Sequence, residues 1–97
     1  MNGLELKNVK TQEKRTLPVN GVFFYVGLKP NTGFLRSILN LDEQGYVITD
    51  DTLATSAPGI FAAGDVRKKL LRQVATAVGD GATAAFAAER YIESLPR

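Results

Sequence analysis

The residues best placed to do chemistry are two short groups, Gly64-Asp65 and Arg72-Gln73-Val74, seven residues apart and on either side of a basic stretch. Pro58-Gly59 is a turn signal that closes what precedes it. Ile60-Phe61-Ala62-Ala63 is a short apolar run of the kind that fits a buried strand. Gly64 then allows a tight or close-approach backbone, and Asp65 falls just past the strand end, where open α/β sheets bind ligands. A carboxylate there presents two acceptor oxygens to sugar or polyol hydroxyls. Read locally, Asp65 is equally a turn residue or a helix N-cap. Arg72, Gln73 and Val74 stand at the start of a long alanine-rich helix. First-turn amides lack an internal acceptor, and the helix dipole adds positive potential. Such an end suits an oxygen that gains negative charge; ordinary capping and solvation is the plain alternative.

Other chemistry is excluded or weak. The chain has no cysteine and no histidine, so it contains no disulfide, no thiol nucleophile and none of the usual nitrogen or sulfur ligands for zinc. Asp42, Glu43, Asp50 and Asp51 lack the spacing of a calcium loop and read as hairpin-end acids. Arg67-Lys68-Lys69 with Arg72 reads as a solvated loop. A net charge of +2 over 97 residues is too small an excess to suggest nucleic acid. Gly79-Asp80-Gly81-Ala82-Thr83-Ala84 matches G-x-G-x-x-A, but residues 73–78 already read as helix and no strand precedes it, so the phosphate-loop reading is rejected. Phe23, Phe24 and Tyr25 point to alternate faces of a strand and read as core rather than a stacking platform.

These groups need elements to hold them. Hydrophobic content of 44% and charged content of 23% are globular values. Leu4–Lys7 alternates as a half-buried strand, 8–14 turns, and residues 15–17 resume an extended edge ribbon. Val22–Val26 predicts a strand buried on both faces. Residues 27–33 leave the sheet, 34–39 form a short helical turn, and 46–49 a short strand. The long helix is predicted over 71–95, with Val74, Val78, Ala82, Ala85, Ala88 and Ile92 on one face. Gly79 and Gly81 inside it predict a close approach to a sheet, a helix or a cofactor, with a kink or break near Gly79 as the alternative. No apolar run reaches the roughly 18 residues that span a bilayer, and the amino terminus lacks the pattern of a signal peptide. The expectation is a cytoplasmic home, with neither membrane nor nucleic acid as partner.

Thr55 to Asp65 resembles the second FAD-binding fingerprint of two-dinucleotide-domain flavoprotein reductases. With Arg72-Gln73-Val74 downstream and Gly21 to Gly27 and Pro30-Asn31-Thr32 upstream, nearly the whole chain is similar to the C-terminal part of bacterial-type thioredoxin reductases. The resemblance implies an α/β fold: an incomplete, Rossmann-like FAD-binding domain made of a β-hairpin, short strands and one long C-terminal helix. It assigns residues 1–27 to the end of the NAD(P)H domain with its crossover strand, and 28–97 to the C-terminal segment of the FAD domain. It implies direct FAD contacts by Gly64, Asp65, Arg72, Gln73 and Val74, with Asp65 as hydroxyl acceptor and no catalytic residue in the chain. Thr55 is expected to stabilise the turn before Pro58. NADPH belongs to the whole reductase alone, and thioredoxin is its expected partner. The family's Gly-rich loops and Cys-x-x-Cys pair do not occur here, which predicts a piece of a longer enzyme, inactive by itself and prone to self-associate as a homo-oligomer. A segment of a cysteine-less ferredoxin– or flavodoxin–NADP reductase, or a stand-alone non-enzymatic α/β binding or dimerisation module, remains open.

Overall fold

A computed structural model describes residues 1–96. The hairpin forms where alternation and turn chemistry place it: β1 (Leu4–Lys7) pairs antiparallel with β2 (Lys14–Leu17), Leu4 opposite Leu17 and Lys7 opposite Lys14. Asn8 closes the turn, its Oδ1 accepting from the amides of Lys10 at 2.9 Å and Thr11 at 3.2 Å. The hairpin packs on no other helix or strand among the described residues.

Val22–Val26 departs from its expected buried strand. No backbone hydrogen bond engages it, and Phe23, Phe24, Tyr25 and Val26 are each more than four-fifths exposed. A strand requires a neighbour for its N–H and C=O groups, and these residues supply none. The molecule is correspondingly long, 69 × 27 × 21 Å with a radius of gyration of 20.5 Å, against about 13 Å for 100 compact residues.

From residue 30 onward the chain closes on itself around four buried apolar side chains, Leu39, Tyr46, Val47 and Leu53. A 3₁₀ turn, Gly33–Leu35, matches the helical turn expected there. Val47 is the hub: it bridges Leu41 antiparallel and Arg67 parallel, its amide donating to the Val66 carbonyl at 2.9 Å and its carbonyl accepting from Lys68 at 2.9 Å. The expected strands at 46–49 and 60–63 are thus reduced to isolated bridges, two at Val47 and one joining Ala54 and Phe61. Ile60 remains 42% exposed, because one bridge cannot cover two faces. Asp42 and Asp50 fold back on their own turns, Asp42 Oδ1 accepting from the amides of Gln44 and Tyr46, and Asp50 Oδ1 from Thr52 and Ala54. The Thr55 hydroxyl donates to the Ile60 carbonyl at 2.8 Å and accepts from the Ala57 amide, the turn-holding role expected of it.

Helix α1 spans Val74–Ser94. Its apolar stripe differs from the sequence reading: Val74, Val78, Phe86 and Ile92 are exposed, whereas the half-buried face runs through Ala77, Asp80, Ala84, Ala87 and Tyr91. Hydrophobic spacing shows which face needs cover, and this chain covers the other one. Gly79 and Gly81 likewise face open space and are not close-approach points among the described residues. Gly59 is one: its φ is +82°, and a Cβ there would stand 3.3 Å from the Tyr91 ring, which in turn meets Phe61 edge-on with centroids 6.2 Å apart.

Candidate cofactor site

The turn that carries Gly64 and Asp65 is a single 3₁₀ turn, Gly64–Val66. Gly64 is buried with φ +84°, a conformation L side chains adopt only under strain. Among the described residues, this turn is the one helical or strand element that α1 packs against. Ala77 faces the turn, its Cβ lying 3.7 Å from where a Gly64 Cβ would be.

Across that contact the structure brings Asp65 together with Gln73 and Val74. With Ala77 and Val78 they line one open groove of about 370 Å³. The Asp65 carboxylate is exposed and makes no hydrogen bond among the described residues. At the helix start, the Gln73 amide donates to Thr76 Oγ1 at 3.0 Å, and the Gln73 carbonyl accepts the first helical bond, from Ala77. The amides of Val74 and Ala75 precede the first helical bond and find no acceptor among the described residues. A free carboxylate and unpaired amides around a wall of small apolar residues form a donor and acceptor set suited to a polyhydroxylated ligand whose ring gains negative charge on reduction. FAD fits that description.

Arg72 takes a different part. Its guanidinium lies 3.7 Å over the buried Tyr46 ring, donates through Nε to the Asp65 carbonyl at 2.9 Å, and donates through a terminal nitrogen to the Arg67 carbonyl at 2.8 Å. The side chain therefore clamps the 65–72 loop onto the core.

The basic stretch is not a solvated loop. Arg67 and Lys69 both donate to a single oxygen of Asp80, at 2.9 and 2.8 Å, with side chains 15% and 9% exposed. The same oxygen accepts the Gly64 amide at 2.9 Å, and Arg67 Nε also donates to Thr49 Oγ1. Asp80 escaped the sequence reading because it lay inside a rejected glycine motif. The available signal was an aspartate between two glycines in mid-helix, each a poor helix residue, downstream of an unpaired basic cluster.

The Lys69 ammonium, then Arg67 and the Gly64 amide, hold the Asp80 carboxyl well below the usual carboxylate range, against the opposing effect of burial. A group so depressed binds fewer protons folded than unfolded, so its contribution is complete above about pH 4 and is lost as pH falls toward the folded value. The melting-temperature gap between the native chain and Asp80→Asn should therefore stay constant from neutrality down to about pH 4 and close only in stronger acid. A gap that closed between pH 5 and 6 would contradict the ion cluster.

Residues 1–81 match the family model described as pyridine nucleotide-disulphide oxidoreductase. The chain is 54% identical over 90 residues to a thioredoxin reductase of Treponema pallidum, covering 93% of this chain and 29% of that protein. It is 50% identical over 93 residues to one of Chlamydia pneumoniae, covering 95% and 30%. The crystal structure of thioredoxin reductase from Streptococcus pyogenes superposes with a TM-score of 0.81 at 48% identity, over 97% of this chain and 31% of that one. The chain thus spans under a third of the length of these relatives, and it has their fold over that span. No helix among the described residues is long and apolar enough to cross a membrane. The chain belongs to the pyridine nucleotide-disulphide oxidoreductase family, as a thioredoxin reductase-like segment.

Proposed function

We propose that the chain is the FAD-contacting C-terminal segment of an NADPH-dependent thioredoxin-disulfide reductase, residues 1–27 ending the NADPH domain and 28–97 completing the FAD domain. The observation that carries this reading is the meeting of Asp65, Gln73 and Val74 at one groove. Bound there, FAD would carry electrons from NADPH to a disulfide. Asp65 accepts ribityl hydroxyls. The turn at Gly64 brings backbone close to the cofactor without a Cβ in the way. Gln73 and Val74 present the amino end of α1, whose positive potential favours the reduced, anionic ring. Arg72 shares the site through its main chain while its side chain holds the loop. The redox-active dithiol must come from elsewhere, since these residues include no cysteine, and the segment alone does not turn over. Thioredoxin is the electron acceptor of the whole enzyme.

Titrating FAD with the purified chain tests the site. Saturable fluorescence quenching is expected, weakened at least about tenfold in Asp65→Ala, the loss of a charge-assisted hydrogen bond worth about 1.5–3 kcal/mol. Equal binding by the variant would remove Asp65 from the site.

A further inference from the structure

We propose that Asp80 is the positioning residue of this groove: one carboxylate oxygen fixes the Gly64-Asp65 turn against the first turns of α1. Its consequence for flavin rests on the cofactor reading above; its geometry does not.

Three donors from three places converge on that oxygen: the Gly64 amide, the Arg67 guanidinium and the Lys69 ammonium, all within 2.9 Å. Ala77 and Asp80 are three residues apart on one helix face, so the turn touches α1 at both, Ala77 by van der Waals contact and Asp80 by hydrogen bond. Arg67 extends the network to Thr49, and its neighbours Val66 and Lys68 pair with Val47 in the core. The oxygen therefore ties α1, the cofactor turn and the core into one unit. Local helix energetics gives no reason for the residues found there. Gly79 and Gly81 touch nothing, and an aspartate in mid-helix disfavours helix formation. What the position gains is tertiary. Without the carboxylate, the Gly64 amide loses its acceptor and two largely buried cations lose the anion they share, so the turn is pushed away from α1. Asp65 would move with it, and Asp65 and Val74 line the same groove.

Amide NMR on the 97-residue chain tests this without any cofactor. Asp80→Ala should shift the amide signals of Gly64, Asp65, Gln73 and Val74 and speed hydrogen exchange at Gly64 at least about tenfold, the loss of a bond worth roughly 1.4 kcal/mol or more. Val47 and Leu53 in the core should keep their signals. A second variant, Asp80→Ala with Lys69→Met, removes one unpaired cation and should show the same local pattern in a more stable chain. Unchanged groove signals in both variants would overturn the proposal. So would uniform loss of signal dispersion in both, which marks Asp80 as a general stability residue. FAD titrated into the same samples separates the two claims. Groove shifts without flavin binding in any sample would support Asp80 as the positioning residue while removing the flavin reading.

Discussion

Gly64→Val should abolish cofactor binding and lower stability by about 2 kcal/mol or more. The cause is the backbone rather than space. A Cβ at Gly64 would meet only the Ala77 methyl at 3.7 Å, ordinary contact, but φ is +84°. A left-handed conformation costs roughly 1–2 kcal/mol for an L residue, and a β-branched side chain makes it worse. Relief comes by rotating the peptide, which withdraws the Gly64 amide from Asp80 and moves Asp65 out of the groove. Gly64→Ala should lie between, with weaker stability loss and partial binding. Thermal melts and FAD titration of the two variants check the order. A fully stable, fully binding alanine variant beside an impaired valine variant would point to crowding instead of strain.

The second large effect concerns residues 22–26. At high concentration the isolated chain should associate, because a five-residue apolar segment with an unpaired backbone is a template for strand pairing, and the exposed Val74, Val78, Phe86 and Ile92 stripe adds a second sticky surface. Each large apolar side chain covered contributes about 1.5–3 kcal/mol, enough for a few of them to drive assembly. Phe24 and Val26 lie on one face of an extended chain. Replacing both with lysine should shift sedimentation toward monomer while leaving the Tyr46–Val47 core intact. A native chain that stays monomeric at high concentration and melts cooperatively would contradict this picture.

Local features were legible in the sequence, and non-local ones were not. The hairpin followed from the alternation at Leu4 and Leu6 and from the Asn8 turn, whose own hydrogen-bond partners lie within five residues. The helix followed from alanine content, and the turn at Thr55 from hydroxyl and Pro-Gly chemistry. The strand at 22–26 was misjudged because β-branched and aromatic residues state a need for neighbours without saying where those neighbours are. The helix face was misjudged for the same reason: Val74 and Val78 need cover, yet in this chain Ala77 and Asp80 do the packing. The Arg67–Asp80 and Lys69–Asp80 pairs span 13 and 11 residues. No periodicity reports a contact of that kind, so the basic stretch read as solvated. The proposed cofactor residues stood out because a motif named them; Asp80 sat in a glycine motif whose strand context was missing, so nothing local marked its tertiary contacts.

The most direct measurement replaces the matching C-terminal segment of the Treponema pallidum thioredoxin reductase with this chain. The purified hybrid should retain FAD, with the visible absorbance of a bound flavin, and reduce thioredoxin with NADPH. A folded hybrid that holds no FAD would contradict the assignment of this segment to the flavin site.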